Sequence, residues 1–375
     1  MKRIVLVLGV AALLFASCGS SPKANLTGGA SYYVRADGND RNTGTSEDKP
    51  FKTMAKAIEA ASKTSVKKIT VIGVLEGEMT AEDIKKTTAA PVKTLIKNMD
   101  ATGGQDIAKV IANNIGVAML AGSYDQPNPR EILITGKPNA SDAEKAVLTS
   151  KKGTPLQFGN ISVRLEHIEV SGCQGTAILA VFGDLTLAQG VKITKNSGNN
   201  TIYVHSCTLI MRDNAEVSYN EGAHNVGIHL ENGSVGIMLD NAVIANNKAT
   251  GNGGGVALDG STLIMKNNAA ISNNSAGNGG GGIITFTDTE NGYFSQIILE
   301  DNASVTKNSA KYGGGILLQD KLILRNTARI TENTATEAGG GIWGETANAS
   351  VNKGANVILA NNKAPQSPDS NFRFN

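Results

Sequence analysis

Short apolar segments alternate with polar gaps along most of this chain, and one phrase recurs. It is an aliphatic residue, two spacers, Asn, a polar stretch, then glycines, as in "VIANNKATGNGGGVAL" and "VTKNSAKYGGGILL". The aliphatic/Asn pairs are Ile193/Asn196, Val217/Asn220, Ile244/Asn247, Ile271/Asn274, Val305/Asn308, Ile330/Asn333 and Leu359/Asn362. Their separations of 24, 27, 27, 34, 25 and 29 residues are those of a solenoid. Glycine runs and β-branched segments make poor helices, so the repeating element is strand. Each period holds three such segments: one like "TLIM" or "KLILR", one carrying the aliphatic/Asn pair, and one after the glycines, like "GGGILL". Three strands and three turns in one period predict one coil of a single-stranded parallel β-helix, an all-β solenoid. Eight coils from 161 to 365 would span about 38 Å at the usual strand spacing.

The recurrence has a physical reason. A lone coil cannot bury its inner face, so only stacking makes a core. Asn at one turn of every coil can donate to the Asn above and accept from the one below, which satisfies a buried turn. Asn196, Asn220, Asn247, Asn274, Asn308, Asn333 and Asn362 are the expected ladder. Glycine supplies turn conformations that a Cβ forbids.

Strand alternation sorts side chains into inward and outward sets. Two outward columns are richer in apolar residues than solvent contact requires. After the glycines these are Tyr203, His229, Ile284, Leu317 and Trp343; on the "TLIM" strand they are Ile210, Ile237, Ile264, Ile298 and Ile323. Contiguous apolar surface of this kind marks a contact face for a glycan, a protein surface or a second copy. The alternative is that a loop, or the segment 78–127, covers the Ile column.

Residues 1–17 have a basic start, a short apolar run and small residues before Cys18, the form of an export signal. "FASC" resembles a bacterial lipobox, with Phe15 where Leu is preferred. The resemblance implies that Cys18 is acylated, that the membrane is a partner through that lipid, and that the protein sits in the cell envelope on an outer-membrane, surface or periplasmic face. Residues 18–30 are expected as a flexible tether. Residues 31–77 form an N-terminal cap and first coil, with Phe51, Met54, Ala55 and Ile58 on one face of a capping helix. "ITVIG" at 69–73 starts that coil and "EILITG" at 131–136 resumes it. Residues 78–127 read as a helical insertion that Thr80 caps with Asp83. The β-helix covers 128–365, and 366–375 is a C-terminal tail.

Composition narrows the classes. Glycine, at 43 residues, has no Gly-X-Y period, which excludes collagen. A net charge of +2 with no basic block excludes nucleic acid as a partner. Cys173 and Cys207 fall at different points around the coil and are expected to be unpaired thiols.

The "IxxN…GGGI" phrases over 190–362 resemble the repeat of the polymorphic membrane protein family, with Ile or Val in place of its Phe. Residues 32–61 are similar to the opening of exported β-helix proteins of the pectate-lyase-like superfold. The resemblance, with the general rule for parallel crossovers, implies a right-handed coil. It implies a surface or periplasmic binding protein, and an adhesin among the family's members. The rival is a polysaccharide lyase or glycoside hydrolase working in a groove. The Arg-x-Pro-x-x-Arg of pectate lyases and the "NTD" and "GHG" of polygalacturonases are absent, so no catalytic residue is assigned. Asp213 and Asp240 occupy equivalent places in adjacent coils, at the spacing of a hydrolase pair or a Ca²⁺ site. Yet Asn267, Asp301 and Asn326 continue their column, which is turn chemistry. "DGNDRN" at 37–42 is a Ca²⁺ candidate or a capping loop. No other cofactor or metal is expected, and His205 and His229 lie in different columns.

Overall fold

The computed structural model describes residues 30–80, 83, 131–287 and 293–372. Parallel strands stack into four sheets. The first has eleven strands, from Ser31–Arg35 to Ser350–Lys353, and the second ten, from Val74–Glu76 to Ile358–Ala360. The third has eight, from Leu156–Gly159 to Ile342–Gly344, and the fourth five short ones, from Glu221–Gly222 to Thr334–Ala338. Ten spacings in the first sheet make a stack about 48 Å long. The chain is an all-β parallel β-helix. Stacking begins at Ser31, well before residue 161, because Ser31–Arg35 pairs in register with Lys68–Ile72, which pairs with Ile132–Thr135. The fourth sheet adds a strand to the three expected per coil; it follows directly on the ladder Asn.

The Asn ladder forms as a continuous line. Each Nδ2 donates to the Oδ1 of the Asn one coil on, at 2.8–3.0 Å from Asn196 through Asn333 to Asn362. Its second proton goes to the carbonyl of the aliphatic residue one coil back, at 2.9–3.1 Å. The backbone N–H of each Asn from 196 to 333 also donates to the next Oδ1. From Asn220 to Asn362 both donors and both acceptor sites are used, and Asn196 uses both donors and one acceptor site, so the side chains lie buried without orphaned groups. The residue before each ladder Asn holds a left-handed bend; Tyr219, Asn273 and Lys307 have φ of 55°, 56° and 57°.

The turn conformation expected of the glycines applies to one in each run: Gly253, Gly280, Gly313 and Gly339, with φ of 71°, 66°, 58° and 65°. The next two are there for lack of space. A Cβ on Gly281 would lie 2.3 Å from the Ser309 carbonyl oxygen, and one on Gly282 would lie 3.0 Å from Asn308 Nδ2. The glycine run is pressed against the ladder of the next coil.

Both ends are closed by local sequence. Thr53 caps helix Met54–Lys63, which buries Met54, Ala57, Ile58 and Ala61 against the first coil. Ala55 is partly buried beside them, while Phe51 precedes the helix and bridges to Val34. Asp40 accepts from the Lys52 and Thr53 backbone N–H groups and the Thr53 hydroxyl, and Asp37 pairs with Arg35. "DGNDRN" is therefore a capping loop. Residues 366–372, expected as a tail, pair instead with the last coil through Ala338↔Gln366 and Ile342↔Ser370. Asp369 takes the place of the next ladder residue and accepts from Asn362 Nδ2 at 3.0 Å. Thr80 and Asp83 make the expected reciprocal cap. Most of 78–127, with Cys18, the export signal and nearly all of the tether, lies outside the described residues.

Asn274→Ala leaves buried partners on both neighbouring coils unpaired and should cost about 3 kcal/mol. Gly282→Ala should lower stability by more than about 1 kcal/mol. Gly77→Ala, where no atom of the described residues lies within 4 Å, should be neutral. Denaturant titration followed by circular dichroism measures all three, and equal midpoints would contradict the packing described.

Candidate functional site

The two outward columns point outward as alternation requires, but they are not the open faces expected. Ile237, Ile264 and Ile323 are 4%, 6% and 8% exposed, and Ile210 and Ile298 are half-buried. β-Branched side chains stacked one strand spacing apart shield each other above and below. Beside them runs Leu239, then Lys266 and Arg325, both paired to the buried Glu300 at 3.0 and 2.7 Å. In the third sheet Ala257, Ile284 and Leu317 are buried as a separate cluster, with Phe286, Tyr312 and Trp343 partly buried around it. Here the cover is the chain's own glycine turn: a Cβ on Gly279 would lie 2.5 Å from Leu317 Cδ1 of the next coil.

What remains accessible on the third sheet lies on either side of that cluster. On one side, within the stack, register sets Tyr203 opposite His229 and His205 opposite Glu231. Glu231 Oε2 accepts from the Tyr203 hydroxyl and from His205 Nδ1, the latter at 3.1 Å. Asn232 Nδ2 lies 3.2 Å from His205 Nε2, on the other side of the ring from the Glu231 contact. The His205 hydrogen bond, with that of Tyr203, holds the Glu231 carboxyl down at about 2 against its burial. Burial, then the Glu231 charge, push the Tyr203 phenol up. The network is closed, and its carboxylate is locked as an anion.

His229 differs. Its ring stacks on Tyr203 with centroids 5.3 Å apart, the residue is 9% exposed, and neither ring nitrogen has a hydrogen-bond partner among the described residues. Burial lowers its pKa, partly offset by Glu231. Asn200 Oδ1 and Asn225 Oδ1, before the same two strands, are also buried and unpartnered among the described residues. On the inner side of strand Ile228–Glu231, Gly236 stands where other coils place an inward Leu or Ile. It leaves an apolar cavity of about 10 Å³ lined by Leu209, Ile228, Leu230 and Leu263, too small for a ligand.

On the other side, at the last strand, are Trp343, Gln319 and Glu345, with Tyr312 of the fourth sheet beside them. The Tyr312 and Trp343 rings are 6.4 Å apart. Strand alternation from Tyr203 and Trp343 already fixes His205, Glu231, Gln319 and Glu345 as a second outward column. The pairing of His205 with Glu231 was not read from sequence because Glu231 follows a different phrase in its coil.

Asp213 and Asp240 are turn residues with φ of 57° and 55°. Asp240 accepts from Asp213 N–H at 3.0 Å and from Asn267 Nδ2 at 3.2 Å. They make a polar ladder, not an acid–base pair. Among the described residues no group of three or more His, Cys, Asp or Glu is arranged to hold a metal ion. Cys173 and Cys207 are buried and unpaired among the described residues; burial pushes their thiols up to about 11 and about 12.

His229 is neutral in the fold with its pKa below the reference 6.5. It contributes stability present above that value and lost as the pH falls through it toward the lowered folded value. Between about pH 7 and about pH 5 the wild-type denaturation midpoint should drop more than that of His229→Phe. Parallel pH profiles would show that His229 is not the group responsible. No known protein family, curated protein or solved structure matches this chain.

Proposed function

We propose that this chain is an exported, lipid-anchored protein of the bacterial cell envelope that acts by binding, in the manner of an adhesin. In this reading Cys18 carries the lipid, the coil is right-handed and pectate-lyase-like, and its repeats are of the polymorphic-membrane-protein type. The export-type start and "FASC" support the location. One observation supports binding above the rest: outward aromatic side chains gather on the third sheet and, at Tyr312, on the fourth beside it. From Leu185 onward, the strands of the first and second sheets contain no aromatic residue at all. Aromatic residues with a polar rim are the usual material of recognition surfaces.

An enzymatic reading has one observation in its favour. Glu231 and Asp259 stand opposite each other in adjacent coils, at a spacing near that of a retaining glycosidase pair. Against it, Glu231 is already engaged by Tyr203 and His205.

The test has two arms. Cys18→Ser should abolish incorporation of labelled palmitate and release the protein from the membrane fraction; unchanged labelling and fractionation would refute the anchor. A soluble form starting at residue 19 should bind cell-surface material or glycans without turnover, with or without Ca²⁺. New reducing ends or unsaturated uronates, lost in Glu231→Gln, would replace binding by catalysis.

A further inference from the structure

We propose that Tyr312 and Trp343 form a carbohydrate platform that takes one neutral pyranose ring of a glycan. This rests on the binding-protein reading and names its ligand class.

Trp343 points outward from strand Ile342–Gly344, and Tyr312 ends strand Ser309–Tyr312 beside it. Their rings are 6.4 Å apart with planes inclined by 34°. Both are half-buried, backed by the buried Ile284 and Leu317. Two adjoining aromatic surfaces on a rigid base suit a ligand with one apolar face. The C–H-rich face of a pyranose is such a surface, and its polarised hydrogens meet the negative face of an aromatic ring.

The rim supplies what the hydroxyls need. Gln319 is held at both ends: its Oε1 accepts from Thr287 N–H at 3.1 Å and its Nε2 donates to Glu345 Oε2 at 2.8 Å. Glu345 is exposed and its Oε1 has no hydrogen bond among the described residues, so it can accept from a sugar hydroxyl. The Lys311 ammonium, 5.4 Å from the centre of the Tyr312 ring, can donate to one. One anion and one cation flank the rings, which favours a neutral sugar over a uronate.

Size decides against a protein partner. Two half-buried rings offer roughly 200 Å², whereas a stable protein interface buries about 800 Å² on each side. The apolar residues that would enlarge the patch, Ile284 and Leu317, are covered by the glycine turns.

Trp343 is the chain's one tryptophan, so tryptophan emission reports this position directly. The full chain is titrated with neutral gluco-, manno- and galacto-oligosaccharides and with uronate oligosaccharides. A saturable change in emission with a neutral member is expected, weakened about tenfold in Tyr312→Ala with the circular-dichroism spectrum unchanged. Calorimetry on Trp343→Ala should show the same loss, independent of fluorescence. The platform is overturned if no neutral sugar gives a saturable change, if only uronates do, or if Tyr312→Ala binds as wild type. Glycan binding that survives both substitutions would place recognition elsewhere and leave the binding-protein reading standing, as would adhesion to cells without any response at Trp343.

Discussion

The amide ladder is the interaction on which the rest depends. Hydrophobic burial drives the coils together but does not fix where each must turn. One Asn per coil does, because its side chain fits only when the residue above and the residue below are in register. The hydrogen bonds have a direction. Every Nδ2 points one way toward the next Oδ1, so the line must finish on a group that accepts without donating onward. Asp369 is that group. At the other end Cys173 has no amide to offer and contributes only its backbone N–H to Asn196 Oδ1 at 3.0 Å. Ser would be too short to span the gap, and Asp within the line would lack both donated protons.

The ladder also dictates the glycines. Gly255, Gly282, Gly315 and Gly341 lie where a Cβ would come within 2.9–3.1 Å of the next Asn amide. The aliphatic/Asn pair and the glycine run are therefore two sides of one contact. That is why they travel together along the sequence despite the variable stretch between them. The stretch itself is free to vary because it only has to leave the ladder, lay down a short fourth strand and return.

This explains what was legible. Inward residues and the ladder recur once per coil, so periodicity identified Ile193 through Leu359 and Asn196 through Asn362. The covering of Ile284 and Leu317 was not legible, because alternation tells which side a residue faces and says nothing of what folds over that side. Residues 366–372 carry no full repeat, yet they need only one acceptor and a few backbone pairs to end the stack. Their role follows from the ladder's polarity rather than from any pattern within them. The pairing of His205 with Glu231 required exact register between coils 26 residues apart at that point, which the variable stretch hides.

A solenoid adds its stability coil by coil, through neighbour contacts alone, so a local fault stays local. Strand Ile228–Glu231 has faults on both faces. Beneath it Gly236 leaves the inner layer short of a side chain; above it His229 is buried with both nitrogens unpartnered. Each costs on the order of 1 kcal/mol or more, and neither is repaid by the ladder, which runs past at the turn between the second and fourth sheets. A chain able to repeat Leu and Ile at these positions elsewhere departs from its rule at one layer. That layer is also where Tyr203, His205 and Glu231 close their network. The network holds the outer side of the strand through polar contacts instead of packing. Those contacts depend on Glu231 staying ionised, so the order of this layer is tied to the charge of one carboxyl in a way that the aliphatic coils on either side are not.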